Sequence, residues 1–564
     1  MNRMFARPAR RSRNGLVLIV VLVAIVMLSL AGYTFSQLMF AEREAAWAHG
    51  QAMQARALAH SGVGFVEQQL VQSPAALQQQ GGWYDNPRLF RGVLVADGGI
   101  DRDRGRFTIL SPRSQYGAVT GFRYGLEDES SRLNLNTLLL LDQQTSGAGA
   151  QALLMLPAMT PDVADAILDW IDPDETARQN GAERDVYSGQ SPSYAPKNGP
   201  LESVEELLLV RGVTPMLLFG MDADRNGVVD AREASNGAMM GVSQSSSGSG
   251  GGASQSSSSS SGSSSSGGSS SGNSPTNKSS SLMGSGGMNQ GWAAYLTVHS
   301  MESNLRPNGQ LKINLNGSDL NLLYEELSTA LDGDTATYIV AYRQGSVSGT
   351  NPNARTAQSA QPPQPIAGRM LDLTKPAVNK LASPLDLVGA TVTVAFKGSS
   401  QQVSIASPFD PTPSTMAGYL PKLLDNTTIV PSPTVPGRIN VNQASAAVLL
   451  SIPKLDGQTV DRIISGRPAD PSQANSDRQY PTWLYVEGLV DLNTMKQIMP
   501  FVTSSGRVFR AQVVGHFDRP GPTSRIEAII DATTPIPRLV FWRDLTHLGR
   551  GYGPTLLGQV RGKE

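Results

Sequence analysis

The chain has 564 residues, a net charge of −1 and no cysteine. Its length predicts several domains, and its near-neutral charge excludes a global attraction to nucleic acid or to an anionic surface. The lack of cysteine excludes disulfide bonds, thiolate metal sites and cysteine nucleophiles. The fold must therefore be stabilised by packing or by a hard metal ion.

The N-terminus combines a basic stretch with a long apolar one. Several arginines, the last of them Arg13, precede an uncharged run over residues 16–40. About 20 apolar residues suffice to cross a bilayer, and arginines stay on the cytoplasmic side. The run continues into a helix-favouring segment that reaches Gln72. This favours one continuous helix with an exported body over the alternative, a cleaved Sec signal peptide.

Strand-like alternation flanks the middle of the chain. Residues 105–111 and 121–127 alternate apolar and polar side chains, as do residues 508–517, 525–531 and 538–543. These segments predict an α+β fold. A long N-terminal helix would pack on an antiparallel sheet that is split in sequence by large helical and α/β insertions.

A short motif occurs three times in the inserted region. Residues 132–136 (RLNLN), 312–316 (KINLN) and 438–442 (RINVN) alternate apolar residues with asparagines. Each copy precedes a helical segment that an asparagine or the next polar residue can cap. Helical hairpins are predicted at 153–170, at 449–467 and, without a preceding copy of the motif, at 204–221.

The centre of the chain changes character twice. Residues 241–291 are dominated by Ser and Gly and predict a flexible linker. Residues 292–437 predict an extra α/β module. Within it, residues 292–299 and 337–342 have the pattern of strands, and residues 318–331 that of a helix.

The sequence DADRNGVVDARE at 222–233 matches the twelve-residue EF-hand loop. The expected oxygen ligands for Ca²⁺ are Asp222, Asp224, Asn226, the Val228 carbonyl, Asp230 and Glu233. Gly227 permits the sharp turn at the sixth position. The alternative is an Asx-rich surface turn with the same spacing. Because Asn236 and Gly237 follow Glu233 so closely, we expect an isolated calcium loop and no paired EF-hand.

The N-terminal pattern resembles a type IV pilin-type leader, with basic residues, then Gly15, then an unbroken apolar stretch. This resemblance implies that a prepilin peptidase cuts between Gly15 and Leu16. Most pilins have glutamate at the fifth mature position, where this chain has Val20. In lacking this glutamate the chain resembles the K family of type II secretion system minor pseudopilins. The stretches at 54–63 and 170–201 also follow the pattern of that family.

The resemblance to K-type minor pseudopilins covers residues 1–220 and 436–545. It implies a single-pass protein of the cell inner membrane with a cytoplasmic N-terminus and a periplasmic body. Its function would be to initiate assembly of the secretion pseudopilus at its tip and to support protein export across the outer membrane. The implied partners are I-like and J-like minor pseudopilins and the prepilin peptidase.

The same resemblance implies a second calcium-binding loop. K-type pseudopilins bind calcium through an acidic loop, and the residues of this chain that correspond to it are Asp172, Asp174, Glu183 and Asp185. The alternative is a solvated acidic loop whose side chains cap helices.

The expected organisation therefore has eight parts. In chain order they are a leader (1–15), the membrane and amphipathic helix (16–72), the first part of the sheet domain (73–128), a helical insert with the EF-hand-like loop (129–236), the Ser/Gly linker (237–291), the α/β module (292–437), a second hairpin unit (438–505) and the closing strands (506–564).

Two other functions remain as alternatives. Helix-hairpin-helix units bind DNA backbones, but the turns at 157–160 and 453–456 lack the Gly-x-Gly pattern and the first is flanked by acids. We therefore expect no nucleic-acid partner. The other alternative is an ordinary single-pass membrane protein with an uncleaved anchor. The five histidines are scattered and no catalytic motif is present in the sequence, so we expect no enzyme.

Overall fold

The computed structural model describes residues 14–115, 118–239, 290–348, 364–366, 369–468, 470–471 and 476–559. Most of the predicted leader and of the predicted Ser/Gly linker lie outside the described residues. The α-helices of the described part are α1 (Asn14–Leu70), α2 (Pro74–Gln79), α3 (Pro87–Phe90), α4 (Leu138–Gln144), α5 (Ala148–Leu154), α6 (Pro161–Ile171), α7 (Arg184–Ser188), α8 (Pro215–Phe219), α9 (Ala231–Met239), α10 (Leu320–Ala330), α11 (Gly333–Gln344), α12 (Pro413–Asn426), α13 (Ala446–Leu450), α14 (Gly457–Gly466), α15 (Trp483–Val486), α16 (Leu492–Ile498) and α17 (Pro554–Leu557).

The strands fall into one large sheet and several small ones. In chain order they are β1 (Val93–Ala96), β2 (Gly105–Gln115), β3 (Ala118–Arg123), β4 (Glu127–Asp128), β5 (Leu133–Asn134), β6 (Leu296–Thr297), β7 (Met301–Ser303), β8 (Ile313–Asn314), β9 (Ser346–Ser348), β10 (Thr391–Ala395), β11 (Gln402–Ala406), β12 (Thr427–Thr428), β13 (Thr434–Pro436), β14 (Ile439–Asn440), β15 (Val502–Thr503), β16 (Val508–Phe517), β17 (Ser524–Asp531) and β18 (Arg538–Asp544).

Helix α1 has two parts with different surroundings. Its first part leaves large apolar side chains exposed, including Leu16 and Leu28, and by length and composition the helix can cross a membrane. Its second part buries Ala59, Val63 and Val66 against the sheet. These positions recur at helical spacing, so one face of the rod is covered. The predicted continuous helix is confirmed.

The large sheet is antiparallel and discontinuous in sequence. Its order is β1-β2-β16-β17-β18, with β3 also paired to β2 and β4 to β16. The register pairs Val513 with both Ile109 and Ile526, so these apolar residues lie side by side. The central strands β2 and β16 thus come from opposite ends of the chain. The predicted α+β fold, with insertions between the two halves of the sheet, is confirmed.

Glycine allows α1 to approach the sheet closely. A Cβ added at Gly515 on β16 would lie 2.0 Å from the Ala55 carbonyl oxygen and 2.6 Å from the Ala59 nitrogen. Both atoms belong to the α1 backbone and cannot rotate away. We therefore expect Gly515→Ala to lower the free energy of unfolding by about 2–3 kcal/mol, measured by urea denaturation in detergent.

A matched control lies on the helix itself. A Cβ at Gly64 would meet no atom within 4 Å. Gly64→Ala should therefore leave stability unchanged or raise it by up to about 1 kcal/mol, because alanine favours a helix interior. Equal effects of the two substitutions would contradict the close approach at Gly515.

The insertion contains three copies of one structural unit within the described residues. In each unit the strand of the asparagine motif pairs in parallel with a strand that returns much later in sequence. The pairs are β5 with β6, β8 with β12, and β14 with β15. We name them unit one (β5 to β6), unit two (β8 to β12) and unit three (β14 to β15).

The asparagines shape these units in the same way. The first asparagine of each motif accepts a hydrogen bond from the backbone N–H of the second, at 2.9–3.0 Å. In units one and two the second asparagine also forms a two-way amide contact with a backbone group 65 residues further on, Leu201 or Leu381. The alternation therefore marks a repeated backbone anchor.

The extra module contains a hairpin that the sequence did not predict. Helices α10 and α11 occupy the same place in unit two that α5–α6 and α13–α14 occupy in units one and three. The predicted helix at 318–331 is confirmed as α10, but the predicted strand at 337–342 is wrong because it lies in α11. Residues 335–343 are all buried, so this helix has no polar face and its β-branched residues imitate a strand.

Candidate metal centre

The EF-hand-like segment forms a compact loop between α8 and α9. Asp222, Asp224 and Glu233 each place a carboxylate oxygen within 4.8 Å of the others. Among the described residues this is the one such group of three potential metal ligands. Glu233 bridges the loop, since it accepts the N–H of Asp224 at 3.1 Å and that of Asp230 at 3.0 Å.

The other predicted ligands have different roles in this conformation. The Asn226 side-chain oxygen accepts the N–H of Val228 at 2.7 Å, and its amide donates to Asp224. Asp230 caps α9 by accepting the N–H of Glu233 at 2.9 Å. Three of the six predicted ligand groups therefore converge.

Burial makes the carboxylates of the loop energetically costly as anions. Burial, opposed by the N–H of Gly227 and aggravated by Asp224 and Glu233, raises the pKa of Asp222 to about 7. Burial also raises the pKa of Asp224. Clustered, buried oxygens of this kind fit a hard divalent cation such as Ca²⁺, which would neutralise them.

The loop is docked on the C-terminal half of the sheet. Arg525 of β17, which is 1 % exposed, donates to the Asp224 carbonyl. Gln512 of β16 donates to the Arg225 carbonyl at 2.7 Å, and Asn226 donates to the Gly551 carbonyl at 2.7 Å. No local sequence pattern indicates these contacts, because the partners lie about 300 residues apart.

A second acidic cluster lies at the end of α6. Asp169 and Asp172 both accept from the Arg178 guanidinium. Glu183 is 4 % exposed, and both of its carboxylate oxygens are buried without a hydrogen-bond partner. Burial and the nearby carboxylates, Asp169 first among them, raise the pKa of Glu183 to about 7.

The predicted second ligand set is only partly assembled. Asp172 and Glu183 belong to this buried cluster. Asp174 and Asp185 are exposed, and each accepts a backbone N–H of a residue close by in sequence. Asp169, which is not among the four predicted ligands, is the fully buried member of the cluster.

The hairpin turns before α6 and α14 are closed by their own side chains. Thr160 accepts the N–H of Val163 at 3.4 Å, and Asp456 accepts that of Thr459 at 2.7 Å. Helix-hairpin-helix units use backbone N–H groups at such turns to hold DNA phosphates. The carboxylate of Asp456 would also repel a phosphate.

Comparison with known proteins identifies the domain that contains the second acidic cluster. Residues 131–220 match the family model of the first domain of type II secretion system protein K. The match covers 90 of the 564 residues, and over this segment the chain is similar to protein K.

Two further comparisons involve the same secretion system. A stretch of 52 residues is 46% identical to type II secretion system protein K of Klebsiella pneumoniae, covering 9% of this chain and 16% of that protein. The chain thus spans less than a fifth of the length of this curated relative. The crystal structure of the GspK-GspI-GspJ complex from enterotoxigenic Escherichia coli gives a TM-score of 0.34 at 9% identity, covering 89% of this chain and 99% of that one.

The family domain and the EF-hand-like loop are neighbours in the chain. The matched segment ends at residue 220, two residues before Asp222. Most of unit one, including α6 and the cluster around Asp169, lies inside the match. Units two and three lie outside it.

Proposed function

We propose that this protein is a minor pseudopilin at the tip of a type II secretion pseudopilus, where it helps to initiate assembly and supports protein export across the outer membrane. The observation that carries the proposal is the two-part helix α1. Its apolar first part is fully exposed, whereas its second part is fixed to a folded body. Such a rod can lie in a membrane first and among the helices of sister subunits later.

The bulk of the insertion supports the proposed tip position. Residues 129–507 separate β4 from β16 in sequence, and the described part of this insertion contains the three repeat units. A body of this size leaves no room for another subunit stacked above it. The role is structural, and we propose no enzymatic activity.

The match to protein K and the N-terminal sequence support the proposed location and partners. The arginines before α1 favour retention on the cytoplasmic side of the inner membrane, with the body in the periplasm. Prepilin peptidase would cut between Gly15 and Leu16. The proposed partners are the I-like and J-like minor pseudopilins of the same system.

Co-purification tests this function. The tagged chain, extracted from membranes in mild detergent, should carry the I-like and J-like subunits of its own host in a stable complex. An unrelated single-pass inner-membrane protein with the same tag serves as the control. Recovery of the chain without these subunits, or with subunits of a different pilus, would refute the assignment.

We also propose that the loop at 222–233 binds Ca²⁺ and thereby fastens unit one to the sheet. The ligands would be Asp222, Asp224 and Glu233, completed by Asn226, Asp230 and the Val228 carbonyl. Support comes from the convergence of the three carboxylates and from the docking on Arg525 and Gln512. Asp172 and Glu183 are the proposed core of a second site, to which Asp174 and Asp185 would have to move.

Calcium should stabilise the protein through this loop. At a calcium concentration about 30-fold above Kd, the free energy of unfolding should rise by about 2 kcal/mol. Glu233→Gln should remove most of this gain, because Glu233 is the residue that closes the loop. The measurement is thermal unfolding with and without calcium. Glu325→Gln, an exposed carboxylate on α10, is the control, and a calcium effect that survives in Glu233→Gln would contradict the assignment.

A further inference from the structure

A large cleft lies between the sheet domain and the last two repeat units. Its volume is about 920 Å³, and it is separate from the calcium loop. Leu70 and Trp83 line it from the sheet domain, Thr427 from unit two and Val502 from unit three. The cleft begins where α1 ends, about 85 Å along the helix from its start, and so lies well outside a bilayer that holds the first part of α1.

The walls of the cleft carry more positive than negative charge. The basic lining residues are Lys312, Arg438, Arg478 and Arg507, and the acidic ones are Glu302 and Asp425. Both acids are already engaged. Asp425 accepts the Tyr480 hydroxyl at 2.8 Å, and Glu302 lies 3.5 Å from Arg438.

Two of the cations have no ion-pair partner among the described residues. The Lys312 amine donates to the Leu424 carbonyl at 2.8 Å, and the Arg507 guanidinium donates to the Ala532 carbonyl at 3.2 Å. Burial lowers the pKa of both groups, although Glu302 and Asp425 near Lys312 and Asp128 near Arg507 oppose that shift.

In unit one the corresponding basic side chain is neutralised by carboxylates. Arg132 opens its motif as Lys312 and Arg438 open theirs, but Arg132 is paired with both Glu127 and Glu129. Arg438 has Glu302 as its partner, so Lys312 of unit two is the motif cation that lacks the carboxylates its counterpart has. An anionic ligand would supply them.

The backbone around the cleft also has an unpaired strand edge. Strand β15 pairs only with β14 among the described residues. Val502 and Thr503 line the cleft, so an extended chain can pair with this edge.

We expect the acidic ligand to come from another molecule. The segments of this chain outside the described residues contain a single acidic side chain, Glu564. We propose that the cleft binds an extended, acidic segment of a different polypeptide, whose carboxylates pair with Lys312 and Arg507 and whose apolar side chains contact Trp83. This binding is independent of the tip position and of calcium.

Fluorescence anisotropy with the full chain in detergent tests the proposal. The probe is a labelled peptide of alternating glutamate and leucine, and the matched probe has glutamine in place of glutamate. We expect saturable binding of the acidic peptide that weakens with added salt, and no binding of the glutamine peptide. Equal binding of the two peptides, or no binding of either, would overturn the proposal.

Variants locate the binding to the cleft. Lys312→Gln and Arg507→Gln should each weaken binding by at least about tenfold. Arg438→Lys keeps the charge of the cleft wall, and Lys454→Gln removes an exposed charge from the turn before α14. Neither substitution should change the affinity for the acidic peptide. Thermal unfolding identifies any variant that fails to fold. Unchanged affinity for the acidic peptide in folded Lys312→Gln and Arg507→Gln overturns the proposal. Self-association of the chain that displaces the peptide also overturns it, because the occupant of the cleft would then be a second copy.

Discussion

Replacing Glu129 with alanine is expected to lower the free energy of unfolding by about 3–5 kcal/mol. Glu129 is fully buried and accepts from Arg510 at 2.6 Å, from Arg132 at 3.2 Å and from the Thr297 hydroxyl. Arg510 belongs to β16, whereas Arg132 and Thr297 belong to unit one. Loss of this carboxylate would leave two buried guanidinium groups short of an anion where the insertion meets the sheet.

The pH dependence of the free energy of unfolding should reveal the contribution of the Glu129 carboxylate. Burial alone would raise the pKa of Glu129, but Arg510 and Arg132 outweigh it and lower the pKa to about 2. A depressed pKa contributes stability that is complete above the unfolded value near 4.5 and is lost as the pH falls through about 2. Urea denaturation across this range should show the loss for the parent chain and not for Glu129→Ala.

An exposed ion pair provides the control. Glu175 and Arg184 lie 3.8 Å apart with both side chains 67% exposed. Glu175→Ala should change stability by less than about 0.5 kcal/mol. If Glu129→Ala lowered the free energy of unfolding no more than Glu175→Ala does, the buried network would not hold the insertion to the sheet.

Asp169→Ala is expected to cost about 3 kcal/mol or more. Asp169 is fully buried and accepts the N–H of Ala182 at 2.8 Å, the N–H of Arg178 and the Arg178 guanidinium at 2.7 Å. A Cβ at Gly181 would lie 1.7 Å from its carboxylate, so the loop closes tightly around it. Removing the carboxylate leaves the two backbone N–H groups without this acceptor, and the Arg178 guanidinium keeps Asp172 alone.

Hydrogen exchange at residues 178–182 measures this effect locally, alongside urea denaturation of the whole chain. Asp174→Ala is the control, since Asp174 is exposed and accepts only the N–H of Thr176, at 2.8 Å. Its removal should cost about 1 kcal/mol or less. If the two variants behaved alike, the buried carboxylate would not organise the loop of the family domain.

Local patterns predicted the parts of the fold that local physics decides. The apolar run after Arg13 predicted α1, and alternation predicted the strands that pair across Val513. The spacing of the EF-hand-like loop predicted a cluster of carboxylates, and Asp222, Asp224 and Glu233 do meet.

Long-range packing decided what the sequence could not show. The sequence of α11 predicts a strand because complete burial removes the polar face that distinguishes a helix. Arg525 of β17 contacts the EF-hand-like loop, and Arg510 of β16 contacts Glu129; no local spacing in the sequence encodes these contacts. The hairpin α10–α11 of unit two is not predicted for the same reason. It resembles the hairpins of units one and three in its backbone pairing.

The mature N-terminus is the measurement that tests the central claim most directly. Mass spectrometry of the protein isolated from membranes should find Leu16 as the first residue, with α1 still attached to the folded body. A protein that begins at Met1 would contradict processing as a pilin. A soluble periplasmic form that lacks the apolar half of α1 would contradict any place for this chain in a helical filament.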